Sequence, residues 1–208
     1  MSENQEILII DIGLGNLNSL SKCIEALGFK FKIINKPHTE KNFEKIIFPG
    51  VGSYSQAMKI IKNNDWDIFL KKNLIEKKNY FLGICIGMQI LSENGFENEI
   101  SDGLKIINGS VKHLTQLNCS NKIPHTGWND ISVIDNNILF SGIKNNSDFY
   151  FDHSYSFHVS NAKNISSLCN YDVEFVSSIN SKNIFGTQFH PEKSADNGKK
   201  VLSNFLKL

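Results

Sequence analysis

The chain has 208 residues, with 22 Lys and Arg against 21 Asp and Glu and a formal net charge of +1. That length suits one domain with a sizeable core, and residues 1–208 are expected to form a single unit. The balanced charge points to no nucleic acid and no membrane as a partner. The longest early apolar run, Ile7-Leu8-Ile9-Ile10, is too short for a signal-peptide core or a spanning helix, so a soluble, cytoplasmic protein is the default expectation. Cys23, Cys85, Cys119 and Cys169 form no CxxC pair, which argues against a zinc site and leaves no metal or cofactor implied.

In chain order, Glu6 to Ile12 reads as a buried strand because the apolar run is continuous and β-branched. Gly13 to Asn16 is a turn. Leu17, Leu20, Ile24 and Leu27 then recur at helical spacing, and Gly28 is a helix stop. Phe29–Ile34 and Lys45–Phe48 read as strands, the second ended by Pro49-Gly50-Val51-Gly52. Helices are predicted over Ser55–Lys62 and Trp66–Lys77, a strand over Tyr80–Ile84 and a helix over Gly87–Glu93. After Gly95 the pattern changes to strands over 105–111, 130–134, 149–159, 165–170, 175–179 and 184–188, with hairpins favoured over crossovers. A helix over Ala195–Leu206 closes the chain. Alternating strands and helices followed by strands imply an α/β fold, a central parallel sheet with added antiparallel strands.

Three clusters could carry chemistry. Gly83-Ile84-Cys85-Ile86-Gly87 stands where a strand meets a helix, the layout of a nucleophile elbow. Flanking glycines relieve clashes around a strained residue. The positive end of a following helix favours a thiolate, and the Ile86 amide is free to hold an oxyanion. Taken alone, the pattern fits a core cysteine as well as a nucleophile. In Gln188-Phe189-His190-Pro191-Glu192, the two titratable groups lie two apart, so on an extended segment they share one side and Glu192 can orient His190. A surface His and Glu beside a turn is the plain alternative. Pro49-Gly50-Val51-Gly52 offers backbone amides to a ligand, or is an ordinary glycine turn. Together the three make a parts list for acyl transfer.

These stretches, "GICIGMQ", "FHPEKS" and "FPGVGSY", resemble the three signatures of class I (triad-type) glutamine amidotransferases. "DIGLGNLNSL", "PHTGWNDI" and "FYFDHSYSF" extend the resemblance to the glutaminase subunit of imidazole glycerol phosphate synthase, over nearly the whole chain. The resemblance implies a flavodoxin-like fold. It makes Cys85 the nucleophile, His190 the general base and acid, and Glu192 the orienting carboxylate. Gly50, Val51, Gly52, Ile86, Gln89, Ser154 and Tyr155 become substrate-binding residues, with residues 50–52 an oxyanion loop thought to rest unproductively until a partner binds its ligand. Asn16, Trp128, Asn129 and Lys193 match positions near a subunit interface. The substrate implied is L-glutamine, and the partner a (β/α)₈-barrel cyclase that consumes the ammonia in histidine biosynthesis.

Two positions depart from the family pattern on the presumed partner side. Thr126 stands where Met is usual, and Asp152 where Val is usual. They leave open a paralogous role, in which ammonia goes to a synthetase that builds an acetamidino group on a surface-polysaccharide sugar. A non-catalytic regulatory subunit is a third reading, opposed by the intact Cys85, His190 and Glu192.

Overall fold

The computed structural model describes residues 6–38, 42–134 and 138–208. In order, the elements are β1 (Ile7–Ile10), α1 (Leu17–Ala26), β2 (Phe31–Ile34), β3 (Lys45–Gly50), α2 (Tyr54–Asn63), α3 (Trp66–Lys71), β4 (Tyr80–Cys85), α4 (Ile86–Gln89), β5 (Asn94–Glu97), β6 (Glu99–Asp102), β7 (Gly109–His113), β8 (His125–Val133), β9 (Ser147–His153), β10 (Tyr155–Val159), β11 (Ile165–Tyr171), β12 (Val173–Ser181), β13 (Ile184–Thr187) and α5 (Ala195–Leu206).

Among the described residues the main sheet has nine strands, in the order β2-β1-β3-β4-β13-β12-β11-β8-β9. Its first five are parallel and the remainder antiparallel. The parallel strands β1, β3 and β4 are buried along their whole length apart from Tyr80, which is why they read as unbroken apolar runs. Two buried clusters cover the two faces. One gathers Leu8, Ile46, Phe48, Phe81 and Trp66, and the other gathers Ile7, Ile47, Leu82, Phe185 and the α5 residues Val201, Leu202, Phe205 and Leu206. A second sheet, β10-β7-β5-β6, packs beside the first. All four cysteines are free and buried. Among the described residues no helix is long and apolar enough to cross a membrane.

The α/β architecture agrees with the reading of the sequence, but several boundaries move for identifiable reasons. The helix predicted over Gly87–Glu93 is the four-residue α4. It stops where the carbonyls of the next three residues, which a longer helix would use, are taken from outside: Leu104 N–H donates to Ile90, Lys105 N–H to Ser92, and the amides of Ile106 and Ile107 to Leu91. The same bonds hold residues 104–107 out of any ladder, so the strand predicted from Lys105 begins at Gly109. The single strand predicted over Phe149–Val159 bends at Ser154, placing β9 in the main sheet and β10 in the small one. The helix predicted over Trp66–Lys77 is α3 continued by a π-helical turn over Lys72–Glu76. The β5–β6 hairpin and the first half of β8 were not foreseen, because Asn94-Gly95-Phe96-Glu97 and Thr126-Gly127-Trp128-Asn129 lack an apolar alternation.

Candidate active site

Cys85 ends β4 with φ 52° and ψ −105°, a backbone conformation that costs energy for a residue with a side chain. The flanking glycines are there because nothing else fits. A Cβ on Gly83 would lie 2.2 Å from the Gly87 carbonyl oxygen, and one on Gly87 would lie 1.9 Å from that of Phe48. The turn thus packs directly on neighbouring backbone, which holds the strain in place. Ile86 opens α4, so its N–H has no intrahelical acceptor and can face a developing oxyanion.

His190 follows β13, the strand beside β4. Its N–H donates to the Tyr150 carbonyl at 2.9 Å, and its carbonyl accepts from Ser194 Oγ, which also accepts from Tyr150 N–H. Glu192 lies in a 3-10 turn begun by Pro191, not on an extended segment as the two-residue spacing implied. The turn still brings the groups together: His190 Nδ1 donates to Glu192 Oε1 at 2.8 Å, with both side chains at most 5% exposed. Burial disfavours the charged imidazole, but the neighbouring Cys85 sulfur and the Glu192 carboxylate outweigh it, and the His190 pKa is raised to about 10. The remaining nitrogen, Nε2, is buried without a hydrogen bond of ordinary geometry among the described residues, so it stays open to a reacting group.

A cavity of about 50 Å³ opens over Cys85. Gly52, Ile86, Gln89, His153, Ser154 and Tyr155 line it, while Gly50 pairs with Cys85 across β3 and β4. Val51 turns away, its N–H donating to the Leu14 carbonyl at 3.2 Å, so residues 50–52 hold one amide away from the sulfur. Glu97 and Asp152 add two carboxylates to the lining that the sequence reading did not assign. Glu97 is held by the Tyr54 N–H at the start of α2. Its place depends on the unforeseen β5–β6 hairpin, which left no signal to find it by.

Gln89 is 2% exposed, and its amide nitrogen donates to the Tyr155 carbonyl at 2.8 Å and to Gln188 Oε1 at 2.9 Å. Gln188 in turn donates to Cys85 Sγ at 3.6 Å. Gln188 stands in the quoted His190 cluster, yet its reach to Cys85 was visible only once β13 and β4 lay side by side.

Two of the four interface expectations, Trp128 and Lys193, fall in one area, whereas the Asn129 side chain lies on the other face of β8, bonded to the Asn170 carbonyl. Trp128 is 53% exposed and meets the Tyr150 ring edge-on at 6.2 Å, and Lys193 Nζ lies 5.3 Å above the same ring. Asn129 follows Trp128 on β8, half-buried. Asn16 is exposed before α1, with no side-chain cap bond. Asp152 and Thr126 face each other across β8 and β9, and the Thr126 hydroxyl donates to Asp152 Oδ1 at 3.0 Å. The two departures from the family pattern are therefore one bonded pair.

A strained cysteine at the end of a parallel strand, a buried histidine oriented by a carboxylate, and a glycine loop alongside are an arrangement able to carry thiol-dependent acyl transfer on an open α/β sheet. The family model of "Glutamine amidotransferase class-I" matches residues 8–208, and the chain belongs to that family. Within it, the chain is 41% identical to "Imidazole glycerol phosphate synthase subunit HisH 1" of Campylobacter jejuni, over 97% of this chain and 100% of that one. It is 40% identical to the HisH subunit of Caldanaerobacter subterraneus, over 95% of each, and 42% identical to that of Methanocaldococcus jannaschii, over 96% of this chain and 98% of the other. Among solved structures, a glutamine amidotransferase aligns with a TM-score of 0.74 at 15% identity over 97% of both chains, and PurLQS from Thermotoga maritima with 0.76 at 18% over 99% of both. At that identity the structures speak for the fold alone.

Proposed function

We propose that the chain is the glutaminase subunit of an imidazole glycerol phosphate synthase, hydrolysing L-glutamine to glutamate and ammonia. The observation that carries this is the buried Cys85–His190–Glu192 constellation in a chain about 40% identical, over nearly full length, to HisH subunits. With its proton held on His190, the Cys85 sulfur attacks the side-chain carbonyl carbon of glutamine. The oxyanion forms against the Ile86 N–H. His190 Nε2 donates its proton to the amide nitrogen, the C–N bond breaks, ammonia leaves and a glutamyl thioester remains. Water then attacks the thioester, His190 takes its proton, the C–S bond breaks and glutamate departs. Glu192 holds the ring by Nδ1 throughout, so that Nε2 faces the reaction.

The pocket chemistry fits this substrate. The carboxylates of Glu97 and Asp152 can receive an α-ammonium group, and the bend at Ser154–Tyr155 supplies backbone for the amino-acid end. The Val51 amide, bonded to Leu14, must turn inward to serve as a second oxyanion donor. A partner docking near Asn16, Trp128, Asn129 and Lys193 is placed to drive that change, and the partner we assign is a barrel-shaped cyclase forming a heterodimer with this chain in the cytoplasm. The HisH relatives favour this consumer of ammonia over a sugar-amidinating synthetase.

Reconstitution with the cognate cyclase tests the reading. Cys85→Ala is expected to abolish glutamine-dependent product while synthesis from free ammonia continues at the wild-type rate. Equal loss of both would contradict an ammonia-donor role.

A further inference from the structure

Two buried histidines have no assigned role in the chemistry above, although one of them, His153, lines the cavity over Cys85. His125 on β8 and His153 at the end of β9 pair across the ladder, at 3% and 6% exposure. His125 Nδ1 and His153 Nε2 are 3.1 Å apart, and His153 Nδ1 lies 2.9 Å from the Tyr155 carbonyl oxygen. A carbonyl only accepts, so His153 Nδ1 carries a proton. In a neutral ring His153 Nε2 then accepts, and His125 Nδ1 donates to it. That leaves His125 Nε2 as an acceptor, and Asn129 Nδ2 lies 3.4 Å from it.

The outer end is locked as firmly. Asn129 Nδ2 also donates to the Asn170 carbonyl at 2.9 Å, and Asn129 Oδ1 accepts from Asp130 N–H at 3.0 Å, so the amide cannot flip without losing both. Every proton in the chain Asn129–His125–His153–Tyr155 therefore points one way. Aromatic rings fix the imidazoles: Tyr171 stacks on His125 at 4.0 Å and Phe151 at 4.8 Å, while Phe175 meets His153 edge-on at 4.9 Å. The chain ends on the carbonyl that also accepts from Gln89, whose other bond leads to Gln188 and the Cys85 sulfur.

We propose that His125 and His153 are positioning residues of the glutaminase site, a neutral relay of fixed tautomers that seats the Tyr155 carbonyl and, through Gln89 and Gln188, the surroundings of the Cys85 sulfur. This rests on the glutaminase reading. Burial supports it by disfavouring both charged rings: the His125 pKa is lowered to about 4 and that of His153 to about 3. The charge of His190 adds to the effect on His153, so a neutral His153 and a protonated His190 go together. Protonating His153 would make Nε2 a donor facing a donor and break the chain at its centre.

Steady-state glutamine hydrolysis by the complex with the cognate cyclase tests the role in turnover. His153→Leu removes the donor to Tyr155 and is expected to raise KM for glutamine about tenfold, the effect of one lost hydrogen bond in a binding wall. Ammonia-dependent synthesis should be unchanged, and His153→Asn, which keeps a donor at the Nδ1 position, should recover most of the loss. Wild-type KM in His153→Leu, or equal damage by Leu and Asn, would overturn the proposal. Nitrogen-15 NMR of the histidine-labelled wild-type chain needs no variant to fold. Both rings should be neutral with the proton on Nδ1 at pH 7, and a charged ring or an Nε2–H tautomer would refute the relay. A wild-type complex that releases no glutamate would instead count against the glutaminase reading itself.

Discussion

Burial and charge pull on His190 in opposite directions, and charge wins. Its folded pKa, about 10, lies above the ordinary histidine value of 6.5. The interaction therefore stabilises the folded chain fully below about pH 6.5, and the contribution is lost as pH rises through 10. The same shift keeps the ring protonated through neutral pH, the state in which the proposed mechanism needs it to donate to the departing amide nitrogen. Removing the Glu192 charge takes away one of the two groups that hold the proton there. Glu192→Gln is expected to lower the His190 pKa and to reduce kcat by about two to four orders of magnitude, the usual worth of a well-placed general acid–base. In the pH–rate profile of glutamine hydrolysis the alkaline limb should move to lower pH. A limb that stays where it is would mean that Glu192 does not set the charge of His190.

At the scale of elements, β8 and β9 form a ribbon that carries both Trp128 and Asn129, which we assign to the partner interface, and the pocket wall. Thr126 and Asp152 meet across it, so a threonine in place of methionine and an aspartate in place of valine are one substitution in physical terms: an apolar cross-strand contact exchanged for a hydrogen bond. Such pairs contribute roughly 0.2–1 kcal/mol. Urea unfolding of Thr126→Val, Asp152→Val and the double variant should give a double-variant loss smaller than the sum of the single losses by about that amount. Strict additivity would show that the two positions vary independently. The ribbon also shows where sequence reading stops. His125 and His153 are 28 residues apart in the chain and become neighbours only through the β8–β9 register. The start of β8 hides behind Thr126, Gly127 and Asn129, which break the alternation by which a strand is recognised.

Over the whole molecule, the parallel strands β3, β4 and β13 bring Gly50, Cys85 and His190 to one edge of the sheet. β3 and β4 were legible because they are buried on both faces and carry apolar runs, and β13 was legible from its Ile184-Phe185 start. Cys85, His190 and Glu192 were legible as candidates because two short local patterns, each open to a plainer reading alone, occur together and match a family signature: glycines spaced for a tight turn, and a proline between two titratable groups. Gln188, Glu97, His125 and Asp152 were not legible as site residues, since their roles depend on which strands pair and on a hairpin with no hydrophobic signature. The shortened α4 belongs with them, because its end is set by amides from residues 104–107 and not by its own sequence. The central proposal is that the Cys85 sulfur attacks glutamine. The most direct measurement is labelling by a diazo-ketone analogue of glutamine, followed by mass spectrometry of the digested chain in complex with its cyclase. One adduct is expected, on the Cys85 peptide, suppressed by excess L-glutamine and absent in Cys85→Ala. An unlabelled Cys85, or labelling of Cys23, Cys119 or Cys169 instead, would contradict it.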